Sequence, residues 1–195
     1  MKINFLSEQE VSLSKEFLEK GFVIRDVENI DLLLYLQNEV VDLVCDFLQL
    51  EKPNDNLSFL MNIKEFLPLD KLNDLRLKLY NDFNSKEWFR PTYFWLGRDV
   101  IYSLVGNEIC MQNKINFSIQ IPDDTKSLLD IHADVFTGET PYQVVQWLPL
   151  VNVEKTGSMF VLPLQKSKEY ISSMSKIKTG GMKMSFGSVM AILAF

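Results

Sequence analysis

The 195-residue sequence holds one histidine, His132, which stands two residues before an aspartate in Ile131-His132-Ala133-Asp134. On a strand, residues i and i+2 point to the same face, so this spacing sets an imidazole nitrogen beside a carboxylate oxygen. Such a pair can supply two of the three protein ligands of a facial triad around one divalent metal, leaving other positions for a small cosubstrate and oxygen. The plainer reading of a lone histidine is a hydrogen-bonded structural residue. His-x-Asp taken alone does not decide between the two.

The residues downstream add context. Gly138 and Pro141 follow, then Val144-Val145-Gln146-Trp147-Leu148-Pro149-Leu150-Val151-Asn152, then Thr156-Gly157-Ser158-Met159-Phe160-Val161-Leu162-Pro163, and finally Phe186-Gly187-Ser188-Val189-Met190. In this order the segments resemble the phytanoyl-CoA dioxygenase family of Fe(II)/2-oxoglutarate-dependent oxygenases. In that family a metal-binding His-x-Asp precedes a tryptophan-bearing strand, a glycine turn leading to a proline, and a second glycine turn. The resemblance runs from about Asn116 to Phe195, with a fainter match at Lys20-Gly21-Phe22-Val23-Ile24. Within the family the chain looks most like small bacterial members found with surface-carbohydrate genes.

The resemblance implies Fe(II) as cofactor and 2-oxoglutarate as cosubstrate, with His132 and Asp134 as metal ligands. It implies that Trp147 lines the 2-oxoglutarate site and that Gln120 and Asn116, on the preceding strand, make polar contacts to the cosubstrate. Two bland readings stand beside these: Trp147 as core aromatic, and Asn116 and Gln120 as the solvent side of an alternating strand. A carboxylate at 134 matches the hydroxylases of the family, whereas its halogenases carry a small residue there. The implied reaction is hydroxylation of a small-molecule substrate, such as a sugar derivative.

The sequence also departs from the pattern. The family continues to a distal His-Gly and then an arginine that clasps 2-oxoglutarate, and here the apolar Ala191-Ile192-Leu193-Ala194-Phe195 ends the sequence with no second histidine. The expectation is a chain cut short, its last strands missing, that binds iron weakly and is inactive by itself. The competing expectation is a non-catalytic jelly-roll module that binds carbohydrate or a partner protein. A cupin-like metal enzyme would need more histidine.

The elements that must position these residues are legible in outline. Ser7 and Glu10 have capping-box spacing and Gly21 is a helix stop; Phe22-Val23-Ile24 reads as a short strand. From Asp31, Leu33, Leu36, Val40, Leu43 and Phe47 recur on one helical face until Pro53-Asn54-Asp55-Asn56 breaks it. Leu72, Leu75, Leu79 and Phe83 form a third stripe. Near Asn113 the period becomes two: Ile115, Phe117, Ile119 and Ile121 alternate with Asn116, Ser118 and Gln120. Further strands are expected over 144–151, 158–162 and 188–195, with a solvated basic segment from Lys166 to Lys183. The fold class is therefore α+β, one domain over 1–195, in which N-terminal helices (1–112) pack on an antiparallel double-stranded β-helix, or jelly roll (113–195).

Composition closes off several classes. A net charge of −6 disfavours nucleic acid and anionic membrane as partners. The 47% apolar content suits a packed core rather than disorder. No stretch reaches the length of a membrane span or has the form of a signal peptide, so the expected location is cytoplasmic. Cys45 and Cys110 lack metal or redox spacing, and Cys45 falls in an apolar stripe, as a reduced buried thiol would. An incomplete sheet would leave an open edge, through which a homo-oligomer is expected.

Overall fold

In the computed structural model the described residues are 5–27, 29–122, 124, 134, 139–140, 142–174 and 191–194. They form a mixed, helix-rich α+β structure. Helix α1 spans Glu8–Lys20. Its first turn is closed reciprocally: the Glu10 amide donates to Ser7 Oγ at 3.2 Å and the Ser7 amide donates to the Glu10 carboxylate at 2.7 Å. It ends at Gly21, whose φ of 83° is the left-handed conformation that costs glycine least. Strand β1, Phe22–Ile24, follows at once.

Helix α2, Ile30–Leu48, takes in Asp31, which the sequence reading set just before the helix, and is capped by Asn29, which accepts from the Leu32 amide at 3.0 Å. Leu36, Val40 and Leu43 are buried in α2, and Leu33 and Phe47 pack beside them. After α3 (Asn56–Met61) and two short 3₁₀ turns comes α4, Leu72–Asn84. All four residues of its stripe, Leu72, Leu75, Leu79 and Phe83, are buried. Burial of each such side chain stabilises by about 1.5–3 kcal/mol, which is why a polar-rich helix is held so firmly on one side. Helices α5 (Phe89–Trp95) and α6 (Arg98–Val105) complete the layer. Phe83, Phe89 and Phe117 meet ring to ring at 5.0–5.4 Å between centroids. Cys45 is buried and free, and burial raises its thiol pKa.

The second half departs from expectation. Strand β2 covers only Val144–Trp147, and β3, Ala191–Ala194, lies between β1 and β2, parallel to both. The described strands thus pair in parallel, not in the antiparallel manner expected, and they do not by themselves draw a jelly roll. The segment 115–121 keeps its alternation, with Ile115 buried, Phe117, Ile119 and Ile121 half-buried, and Asn116, Ser118 and Gln120 exposed, yet it is not part of a sheet among the described residues. Its apolar side lies on the helical core instead.

The expected strand at 158–162 is irregular chain, entered through a 3₁₀ turn at Lys155–Gly157. The start of the expected basic segment is helical: α7 spans Leu164–Met174, with Lys166 and Glu169 paired at 2.8 Å on its surface. Its charges stay in water, as anticipated, but their i, i+3 pairing supports a helix rather than a loop. Among the described residues no helix is long and apolar enough to cross a membrane.

Candidate functional site

The extended chain around the candidate residues has its backbone groups taken up by side chains of the helical layer. Asn84, the last residue of α4, donates to the Ile115 carbonyl and accepts from the Ile115 amide, both at 2.8 Å. One amide side chain thereby does for Ile115 what a neighbouring strand would do. Arg76, also on α4, donates to the Ile119 carbonyl and to the Asp124 carboxylate, the latter at 2.8 Å. This ion pair is mostly shielded, its side chains 19% and 10% exposed, so water weakens it less than a surface pair. Arg90 of α5 donates to the Met111 carbonyl at 2.7 Å.

Strand β2 is fixed in the same way. The Tyr93 hydroxyl donates to the Gln146 carbonyl at 2.7 Å, and the Gln146 side-chain amide returns a bond to the Tyr93 carbonyl at 2.8 Å. Burial pushes the Tyr93 phenol well above its ordinary range, so it remains a neutral donor. Beyond the strand, buried Gln37 of α2 donates to the Leu150 carbonyl at 2.7 Å.

Against this frame the candidate residues fall as follows. Asp134 is half-buried, and its Oδ2 accepts from Gln143 Nε2 at 3.4 Å, while its carbonyl accepts from the Glu139 amide at 3.2 Å. Gln143 immediately precedes β2, and Trp147 is the last residue of that strand, half-buried and in register with Ala194. Strand alternation puts Gln143, Val145 and Trp147 on one side and Gln146 on the other. Asp134 is thereby tied to the tryptophan-bearing strand. Asn116 and Gln120 are exposed, and among the described hydrogen bonds neither is joined to Asp134 or Trp147. His132 lies outside the described residues, so its distance to Asp134 does too.

Among the described residues no group of three or more His, Cys, Asp or Glu side chains is placed to hold a metal. The donors of the motif nevertheless suit Fe(II) in kind, an imidazole nitrogen with a carboxylate oxygen. The Asp134 carboxylate has the outer hydrogen bond that steadies ligating carboxylates. A shallow surface depression of about 360 Å³ beside α2, bordered by Gln37, Asn38 and the 53–57 turn, includes none of the candidate residues in its wall.

The sequence reading did not single out Asn84, Arg76, Tyr93, Gln143 or Gln37. Only Gln37 carried a usable signal, a polar residue within the apolar run of α2. The chain matches no known protein family, no curated protein and no solved structure.

Proposed function

We propose that the chain acts as an Fe(II)/2-oxoglutarate-dependent oxygenase of the phytanoyl-CoA dioxygenase type, hydroxylating a small or carbohydrate-type substrate. The observation that carries this reading is the tie between Asp134 and the strand that ends in Trp147, through Gln143 at 3.4 Å. It supports the reading by joining one of the two proposed ligands to the strand that carries Trp147, although Asp134 itself lies in a 3₁₀ turn and not on the strand expected for it. In this reading the helical layer braces a double-stranded β-helix.

His132 and Asp134 would hold Fe(II), Trp147 would wall the 2-oxoglutarate site, and Gln120 and Asn116 would offer amide contacts to the cosubstrate. Bound iron, with 2-oxoglutarate and O₂, supplies the oxidising power for C–H hydroxylation. The chain's own contribution is positioning. Gln143 orients the Asp134 carboxylate, Tyr93 and Gln146 fix the strand, and Trp147 screens the site from water. With one histidine in the sequence, the chain supplies two ligands of the triad's usual types, and its affinity for metal is expected to be weak.

The test is thermal unfolding with and without Fe(II) or Mn(II). A ligand that binds only the folded state at a hundred times its Kd stabilises by about 2.7 kcal/mol, so the melting temperature of the wild type should rise and that of His132→Ala should not. An equal metal response in the two proteins would sink the assignment. The single histidine also favours a second reading, a non-catalytic binding module for carbohydrate or a partner protein. That reading expects no metal response in either protein.

A further inference from the structure

We infer that the cleft between α2 and the start of α3 is a binding site for a neutral, hydroxyl-rich ligand of the class of a mono- or disaccharide, separate from the proposed metal site. Its wall carries four amide side chains, Gln37 and Asn38 of α2 with Asn54 and Asn56 at the entry to α3. Two of them are already clasped, Asn56 Nδ2 donating to Asn38 Oδ1. Each amide has both donor and acceptor, so the clasped pair still offers one group of each kind. Gln37 is held more firmly: it is 8% exposed, and its Nε2 donates to the Leu150 carbonyl at 2.7 Å. Its Oε1 accepts no hydrogen bond among the described residues, although a glutamine this buried normally has both ends satisfied. No side-chain polar atom of the described residues is both sealed from solvent and unpaired. This oxygen is therefore reached from outside, and the cleft is the opening that Gln37 borders.

The rest of the wall selects among ligands. Its one charged group is the Asp55 carboxylate, and among the described residues no lysine or arginine borders it. A phosphate or other anion would meet that negative charge with no cation to balance it, and a divalent ion would find a single carboxylate. Sugar hydroxyls both donate and accept, which matches amides and a carboxylate set side by side. Leu34 and Leu57 add apolar surface to the same wall, where the C–H face of a sugar ring can pack while its hydroxyl edge meets the amides. The volume of about 360 Å³ falls at the low end of the ~300–1,000 Å³ of small-molecule sites, with room for about one or two sugar rings.

The experiment uses the full 195-residue chain. The probes are glucose, galactose, mannose and N-acetylglucosamine, with glucuronate and galacturonate as anionic counterparts. Saturation-transfer NMR detects binding, and titration followed in ¹H–¹⁵N correlation spectra measures affinity and locates the site through the side-chain amide signals. At least one neutral sugar should bind and shift the signals of Gln37, Asn38 and Asn56, and each uronate should bind more weakly than its neutral counterpart. Asn38→Ala and Asn54→Ala, both at exposed positions, should each weaken that affinity by about three- to tenfold, the loss of one ordinary hydrogen bond. Should one variant fail to fold, the other carries the comparison. EDTA should leave the affinity unchanged, which separates the cleft from the metal reading. No binding by any neutral sugar, shifts confined to residues outside the cleft, wild-type affinity in the folded variants, or a uronate binding as tightly as its neutral counterpart would each overturn the inference. Sugar binding that EDTA abolishes would overturn it too, and would support the metal reading instead.

Discussion

The helices between Ile30 and Val105 and the extended segments at 111–121 and 143–151 solve the same problem in opposite ways. Within the helices, each backbone amide beyond the first turn finds its carbonyl four residues back, and most side chains are left to build a core. In the extended chain, carbonyls of Met111, Ile115, Ile119, Gln146 and Leu150 find partners on Arg90, Asn84, Arg76, Tyr93 and Gln37, all of them side chains of the helical layer. The first region is self-sufficient in hydrogen bonding. The second borrows its partners from the first, so its stability depends on that layer being folded already.

Two substitutions test this dependence, and a third probes a contact outside both regions. Phe83→Ala should have the largest effect, because Phe83 is fully buried in α4 and also touches Phe117 of the extended chain. A loss of about 3–5 kcal/mol is expected for a buried phenylalanine. Urea unfolding followed by tryptophan fluorescence and by far-UV circular dichroism should show one shared, displaced transition. Separate transitions would mean that the regions fold independently.

Asn84→Ala should come next. It strips partners from both polar backbone groups of Ile115, and unmet backbone groups of this kind cost on the order of 2 kcal/mol in total where water reaches them in part. Hydrogen exchange should accelerate at Ile115 and its neighbours while the amides of α2 keep their protection. Equal acceleration in both regions would contradict the one-sided dependence.

The smallest effect is expected far from both, where α1 meets β1. Hydrogen bonds from Arg25 at 2.6 Å and then from Lys20 at 2.9 Å lower the Glu16 carboxyl from 4.5 to about 2. A folded-state value below the unfolded one adds stability that is full above about pH 4.5 and fades as pH falls towards 2. Glu16→Gln should therefore lower stability slightly at pH 7, since solvent screens the pair, and the difference from the wild type should vanish as pH falls towards 2. A large loss at pH 7 would show that the pair does more than join two surface elements.

The same division explains what the sequence made legible. The α1 cap at Ser7 and Glu10, the Gly21 stop and the Leu72-Leu75-Leu79-Phe83 stripe are set by residues within a few positions of each other, and each is found in place. The alternation at 115–121 was also real, but alternation reports only that one side is covered, and here helices cover it where a sheet was expected. Asn84 and Ile115 are 31 residues apart, and Tyr93 and Gln146 are 53 apart. No local spacing announces such bonds. For the site, the strand carrying Trp147 was foreseen, whereas Gln143, the residue that ties it to Asp134, was not.

The pair of hydrogen bonds exchanged by Asn84 and Ile115 has a consequence for how the chain tolerates change. Asn84 reads one residue and Arg76 reads another, Ile119, four places later, so together they work as a ruler laid along the backbone. Extra residues between Gly106 and Lys114 leave the ruler satisfied, because the irregular chain there can loop outward. One extra residue between Ile115 and Ile119 cannot be absorbed: keeping either mark forfeits the other, and the slip turns Asn116, Ser118 or Gln120 onto the aromatic core. Insertions in descendants of this chain should accordingly accumulate on the near side of Ile115 and be purged on the far side.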